Sequence, residues 1–79
     1  MAAIDDVELH GSKTNGTRVI TIRNRTADKT IATSVFIGGA CEESHFAATL
    51  KPLKEAQVAS EGPGDTACHY EIESARYVA

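Results

Sequence analysis

The apolar residues of this chain are concentrated in two runs between positions 17 and 38. The first, Val19–Ile22, lies within Thr17–Asn24, and the second is Ile31–Ile37. Both are dense in β-branched residues, which suit a pleated, half-buried surface. The pattern predicts two strands with a polar turn at Thr26–Lys29, the second strand ending at Gly38-Gly39. Because bulky groups lie on both faces of each strand, we expect the pair to form the interior of two layers rather than a self-sufficient hairpin.

A further strand and a tight turn are predicted before these runs. Val7–His10 alternates apolar and polar residues, as a half-buried strand does. Asn15-Gly16 follows, and both residues tolerate the positive φ angles of a two-residue type I′ hairpin turn. Such a turn places Leu9 opposite Ile22, so two large apolar groups share one face.

Two more alternating segments lie in the C-terminal half. His45–Leu50 places apolar residues on one face if it is extended. Thr66–Val78 alternates most regularly of all, and its length predicts either a bulge near Ser74-Ala75 or an end that runs past the sheet. The stretch Glu61–Asp65 is rich in Gly and Pro and predicts a turn.

The segment between these two is ambiguous. Leu53–Ser60 places Ala56 and Val58 on one face if it is a strand. Pro52 before it and Gly62 after it also match the residues that commonly begin and end a short helix. Both alternatives stay open at this point.

About six strands at spacings of roughly 8–12 residues predict an all-β fold, a small antiparallel β-sandwich. The alternative is an α+β fold with a short helix near 52–61. We expect a single domain over residues 1–79, with residues 1–6 flexible apart from Ile4, which tucks into the domain.

The two cysteines are expected to form a disulfide that stabilises a small hydrophobic core. The chain has 79 residues and no tryptophan, and small domains of this kind usually need a disulfide or a metal. Cys41 and Cys68 allow one intramolecular pairing, and the loop-entropy model gives such a bridge roughly 3–4 kcal/mol. Disulfides in small domains are typical of exported proteins. We therefore predict a secreted, extracellular or periplasmic protein whose leader peptide is absent from this sequence.

The candidate reactive residues do not form a pattern that predicts catalysis. His10, His45 and His69 fall in different segments, away from metal-ligand spacing. Cys41 and His45 form only a weak nucleophile–base pattern, and a disulfide accounts better for Cys41. The acidic doublet Glu42-Glu43 is expected to be solvated, whereas acid–base catalysis requires an enclosed site. We expect a non-enzymatic protein with no cofactor and no bound metal.

Charge narrows the class of partner. The formal net charge of −3 argues against a nucleic-acid partner, and the chain has no apolar run long enough to span a membrane. Arg18, Arg23 and Arg25 form the one basic cluster, and with Lys29 they are a candidate partner-binding patch. We expect a monomer that binds another protein.

Three segments loosely resemble the immunoglobulin-like β-sandwiches of extracellular proteins. They are Val19–Asn24, then Phe46-x-x-x-Leu50-x-Pro52 leading to Val58, and Asp65–Tyr70 opening the last strand. The resemblance implies an immunoglobulin-like sandwich or a six-stranded variant of it. The chain departs from antibody domains in lacking the core tryptophan and in placing Cys41 outside an early core strand.

The predicted function is that of a small secreted, non-enzymatic binding protein of the inhibitor or host-directed effector type. The alternative is a structural or assembly module of a surface appendage or a phage particle. Asn15 and Asn24 each begin an Asn-x-Thr triplet at a predicted turn, which matches the N-glycosylation sequon and fits export.

Overall fold

The computed structural model describes residues 2–62 and 68–78. Its strands are Val7–Thr14 (β1), Thr17–Asn24 (β2), Thr30–Gly39 (β3), Ser44–Leu50 (β4), Glu55–Glu61 (β5) and Cys68–Val78 (β6). They form two three-stranded antiparallel sheets, ordered β1-β2-β5 and β4-β3-β6. The predicted all-β, sandwich-like fold is confirmed. The helix considered near 52–61 is wrong: Pro52 lies in a turn, and β5 pairs with β2, with Ala56 opposite Ile22.

The two apolar runs become the central strands of different sheets. β2 lies between β1 and β5, and β3 lies between β4 and β6. The prediction that they form the interior of two layers is therefore confirmed. If β1 to β6 are matched in chain order to strands A, B, C, C′, E and F of an immunoglobulin-type sandwich, the two sheets have the A-B-E and C′-C-F orders of that fold.

The core lies between the two sheets and draws on both. Its fully buried residues include Ile22 from β2 and Ile31 and Val35 from β3. Partly buried side chains from the four edge strands, β1, β4, β5 and β6, complete it, and they are Leu9, Phe46, Ala48, Ala56, Val58, Tyr70, Ile72 and Ala75. Alternation along each strand places these residues on the inner face.

Two details of register also match the predictions. The β1–β2 hairpin pairs Leu9 with Ile22, and its turn residues Asn15 and Gly16 have φ angles of 52° and 81°. In the β3–β6 ladder, the register shifts so that Glu73 is an additional residue between two paired positions. This irregularity is the bulge expected near Ser74-Ala75.

β3 ends at the predicted glycine pair, but Gly38 and Gly39 are the last two paired residues of the strand and not a break that follows it. Gly38 and Gly39 continue the ladder and pair with His69 and Cys68. Gly38 is covered by the ring of Phe36, and a Cβ at Gly38 would lie 2.7 Å from ring carbons. The glycines are needed because other groups approach the backbone closely there, not because the chain breaks.

The N-terminal residues form one turn of 3₁₀ helix, Ala3–Asp6. Ala3 is buried and Ile4 is 41% exposed, so the expected burial of Ile4 is wrong. The turn places Ala3, instead of Ile4, in the core. Asp6, at the end of the turn, accepts a hydrogen bond from the hydroxyl of Tyr77 on β6. The flexibility of residues 1–6 stays a prediction.

The predicted turn after Glu61 and the start of the last strand at 66–67 lie largely outside the described residues.

The predicted disulfide is confirmed. It joins Cys41, in the β3–β4 connection, to Cys68, the first residue of β6, with 5.3 Å between their Cα atoms. The bridge therefore ties two segments of one sheet together at one end of the sandwich.

Candidate functional site

The four basic residues predicted as a patch are not brought together. Arg18 shares the inner face of β2 with Ile20, whereas Arg23 alternates to the outer face. Arg23 has a glutamate opposite it on each neighbouring strand. Arg25 and Lys29 lie in the β2–β3 turn, at the far end of β2 from Arg18. Of the four predicted residues, only Arg25 and Lys29 thus lie in the same turn.

The turn end of the molecule is organised by Asn24, whose side chain is fully buried. Its amide nitrogen donates to the carbonyl oxygens of Lys29, Leu50 and Lys51 at 2.7, 3.0 and 3.3 Å. Its oxygen accepts from the backbone N–H and the hydroxyl of Thr26 at 2.9 and 2.7 Å. One satisfied side chain thereby fixes the β2–β3 and β4–β5 turns as a unit.

Because Asn24 is buried, the two glycosylation triplets differ in their accessibility. The nitrogen of Asn24 that would carry a glycan is engaged inside the protein. Asn15 is exposed at the tip of the β1–β2 hairpin. Of the two sequons, the one at Asn15 is the accessible site in the folded protein.

The β4–β5 turn presents an exposed leucine in a left-handed conformation. Lys54 N–H donates to the carbonyl of Lys51 at 3.0 Å, with Pro52 and Leu53 between them. Leu53 has a φ of 59° and is 52% exposed. A non-glycine residue in this region costs about 1–2 kcal/mol. The strand alternative began at Leu53, but β5 begins at Glu55, and Leu53 lies in a turn whose second position suits Pro52.

The turn end carries charges of both signs. Residues 25–29 and 51–54 contain four cations, Arg25, Lys29, Lys51 and Lys54, and one carboxylate, Asp28. Asp6 lies against the first of these turns, since its carbonyl accepts a hydrogen bond from the Arg25 N–H, and Lys29 lies over the ring of Tyr77.

The disulfide end contains a buried carboxylate that the sequence analysis missed. Glu61 is 8% exposed, and it accepts hydrogen bonds from the Tyr70 hydroxyl at 2.6 Å and the Cys68 N–H at 3.0 Å. Arg18 lies 3.4 Å from its other oxygen. These groups, the Tyr70 hydroxyl first, lower the pKa of Glu61. Burial, together with the hydrogen bond to Glu61, raises the pKa of Tyr70 to about 12.

A groove opens beside this cluster, between the edge strands β1 and β6. Its volume is about 270 Å³. The groove is lined by residues of β1, β2 and β6, among them Leu9, His10, Gly11, Ile20, His69 and Tyr70. We call it the β1–β6 groove. A second cleft of about 520 Å³ lies on the other side of Glu61, against the disulfide.

Two of the three histidines pair with glutamates on the outer face of the β4-β3-β6 sheet. His45 Nδ1 is 2.8 Å from Glu73, and His69 Nε2 is 3.7 Å from Glu71. The Ser34 hydroxyl donates to Glu73 at 2.5 Å, and this bond, followed by His45, lowers the pKa of Glu73. Because Ser34 bonds to the carboxylate and not to the imidazole, the trio lacks the nucleophile–base contact of acyl transfer.

The described residues set further bounds on the chemistry. Within 2–62 and 68–78, no group of three or more His, Cys, Asp or Glu side chains is placed to hold a metal ion. In the same ranges, no helix has the length and apolar character needed to cross a membrane. Comparisons with protein-family models, curated proteins and solved structures found no match to this chain.

Proposed function

We propose that the chain is a small exported, non-enzymatic protein that binds an extended segment of another protein in the β1–β6 groove. The observation that carries this proposal is the position of two edge strands on either side of an opening into the core. An inhibitor or a host-directed effector would act in this way, by occupying a segment of its target.

Edge strands supply the main-chain contacts for such binding. β1 and β6 are terminal strands of their sheets, so the outer edge of each offers backbone N–H and C=O groups to an added strand. His69 and Tyr70 of β6 and Leu9 to Gly11 of β1 line the groove. Strand addition uses these groups for affinity and side-chain pockets for selectivity.

The interior of the groove suits alternating side chains of a bound strand. Leu9, Ile20 and Tyr70 provide apolar surface, and Arg18 provides a cation at the rim. Gly11 has no side chain, and a Cβ there would lie 3.4 Å from Ile20 Cδ1. The missing side chain at Gly11 therefore leaves Ile20 in the lining of the groove.

Export is the context in which this fold is stable. The core is small, and the disulfide Cys41–Cys68 closes a loop with a sequence separation of 27 residues. Bridges of this type persist in the periplasm and outside the cell. We infer an extracellular or periplasmic location on this basis.

A variant pair in β1 tests the groove. Gly11→Trp fills it, whereas Ser12→Trp adds the same ring to the opposite face of the same strand. Both positions are exposed, so both variants should fold, which circular dichroism verifies. We expect a protein from the source's extracellular fluid to be retained by immobilised wild type and Ser12→Trp and lost with Gly11→Trp. Equal retention by both tryptophan variants would refute the groove as the binding site.

The alternative, an assembly module, is favoured by one feature of β6. If two copies paired antiparallel through this edge, Glu71 would lie opposite Arg76 in both directions. Both residues are on the outer face, since they pair with Phe36 and Ala32 of β3. Sedimentation equilibrium separates the two functions: concentration-dependent self-association that Arg76→Glu abolishes would favour assembly, and a monomer would favour the binding protein.

A further inference from the structure

We propose that the Cys41–Cys68 disulfide is a redox-controlled lock on the β1–β6 groove, and that a dithiol reductant opens the groove without unfolding the rest of the sandwich. The groove is the site of the proposed function, on which this inference therefore rests. Three observations lead to it: where the apolar core lies, what holds the opposite end of the sandwich, and how accessible the bridge is.

The apolar core is concentrated toward the end of the molecule that Asn24 organises. In the first sheet, Val7 pairs with Asn24 itself, and Ile22 lies two residues before it. In the second sheet, Ile31 pairs with Leu50, whose carbonyl accepts a hydrogen bond from Asn24. This end therefore has apolar packing and a hydrogen-bonded polar residue that do not involve the disulfide.

The disulfide end is packed differently. Several inward-facing positions there are small or polar, and they are Gly11, Arg18, Gly39, Ser44 and Glu61. Ile20 is buried at this end but is not part of the apolar cluster around Ile22. The β1–β6 groove and the cleft of about 520 Å³ both open here. Apolar burial therefore contributes less to holding the two sheets together at this end.

Three contacts converge on Cys68, at the start of β6. Its sulfur is bonded to that of Cys41, its N–H donates to Glu61 at 3.0 Å, and its backbone pairs with Gly39. Glu61 belongs to the other sheet, and the Tyr70 hydroxyl donates to the same carboxylate at 2.6 Å. Once the covalent bond is broken, only hydrogen bonds that water can replace remain among these contacts. Because Cys68 and Tyr70 line the groove, their release removes one of its walls.

The bridge is accessible to a reductant. Cys41 and Cys68 are both partly exposed, and both line the cleft on the other side of Glu61. A thiolate of the dithiol attacks one sulfur, and a mixed disulfide forms as the other cysteine leaves as a thiolate and takes up a proton. The second thiol of the reductant then attacks the mixed disulfide and releases the second cysteine. Two electrons pass to the bridge, which becomes two thiols, and the dithiol becomes a disulfide.

The compartment sets the state of this lock. The bridge persists in the oxidising surroundings that we infer for this chain, whereas dithiol reductants maintain thiols inside cells. The chain therefore binds its partner in an oxidising compartment and releases it in a reducing one.

NMR spectroscopy of the full chain tests the opening without a partner. Dithiothreitol is the reductant, and a thiol assay verifies that two thiols form per chain. We expect the backbone NOEs between Gly38 and His69 to be lost on reduction. The NOEs between Ile31 and Tyr77, at the other end of the same β3–β6 ladder, should remain. Loss of both sets, which would mean global unfolding, or loss of neither would overturn the proposal.

Retention of a partner tests the consequence for binding. The oxidised wild-type chain is immobilised and loaded with extracellular fluid of the source. We expect dithiothreitol to lower retention by about tenfold or more, since only molecules with a formed groove bind. Cys41→Ser/Cys68→Ser should show the same loss without reductant, which excludes an effect of dithiothreitol on the partner. Unchanged retention in both cases would overturn the lock.

The two tests distinguish failure of the lock from failure of the groove. Equal retention by Gly11→Trp and Ser12→Trp would refute the groove as the binding site, and with it the release of a partner. Selective loss of retention in Gly11→Trp, with both sets of NOEs unchanged by reduction, would support the groove and overturn the lock.

Discussion

Asn24 and Glu61 are single buried polar residues that hold opposite ends of the sandwich. Asn24 makes five side-chain hydrogen bonds to two turns. Glu61 connects the end of β5 to the start of β6 through Tyr70 and the Cys68 N–H. Neither role could be predicted from sequence, because each depends on carbonyl or hydroxyl groups that are distant along the chain. A local pattern marks both residues only as turn or strand-end positions.

Glu61 makes stability depend on pH in the acid range. Its pKa is lowered in the folded state from an ordinary value of 4.5, so its stabilising effect is complete above that value and is lost as the pH falls through the lower folded pKa. We expect Glu61→Gln to be less stable than wild type at pH 7 and to show a shallower loss of stability from pH 5 to pH 3. Urea unfolding at a series of pH values measures both effects.

Glu73→Gln is the matched control for this carboxylate. The pKa of Glu73 is also lowered, but by Ser34 and His45 on an exposed face. Solvent screening should make its contribution smaller. If Glu73→Gln flattened the acid dependence more than Glu61→Gln did, the assignment of the acid response to the buried carboxylate would be incorrect.

At the scale of elements, alternation predicted the faces of the strands, and the glycine pair predicted the end of β3 without revealing why glycine is needed there. The β1–β2 register and the inner face of β3 follow from a period of two residues and one Asn-Gly turn. The reason for glycine at Gly39 lies in another strand. Gly39 has a φ of 73°, and a Cβ there would lie 2.9 Å from His69 Cβ and 3.1 Å from its backbone nitrogen. A long-range approach of this kind leaves no local signal.

Gly39→Ala should therefore destabilise the protein. We expect a loss of about 2 kcal/mol, since the substitution adds left-handed strain and a contact with the backbone of β6. Gly11→Ala is the control, because its added Cβ would meet neighbours at ordinary distances of 3.4 Å or more. Chemical unfolding of both variants measures the difference. Equal stabilities would contradict the close approach between β3 and β6 at this point.

At the scale of the whole molecule, the sequence predicted the two layers and the disulfide, and the groove proposed as a binding site emerged only from the fold. The four basic residues looked like one cluster because they are close along the chain, yet alternation sends Arg18 and Arg23 to opposite faces. The β1–β6 groove could not be predicted either. It requires β1 and β6, the first and last strands, to be edges on the same side of the sandwich, and that follows from pairing.

Removal of the disulfide tests how far the stability of this small domain depends on the Cys41–Cys68 bond. Cys41→Ser/Cys68→Ser should lose about 3–4 kcal/mol in the free energy of unfolding, because the unfolded chain regains the freedom of a loop with a separation of 27 residues. Domains of this kind have only about 5–15 kcal/mol in total, so the variant should unfold at a much lower urea concentration. A reductant should lower wild type to the same midpoint and leave the variant unchanged. If reduced and oxidised wild type were equally stable, the fold would not need an oxidising compartment, and the case for export would lose its physical basis.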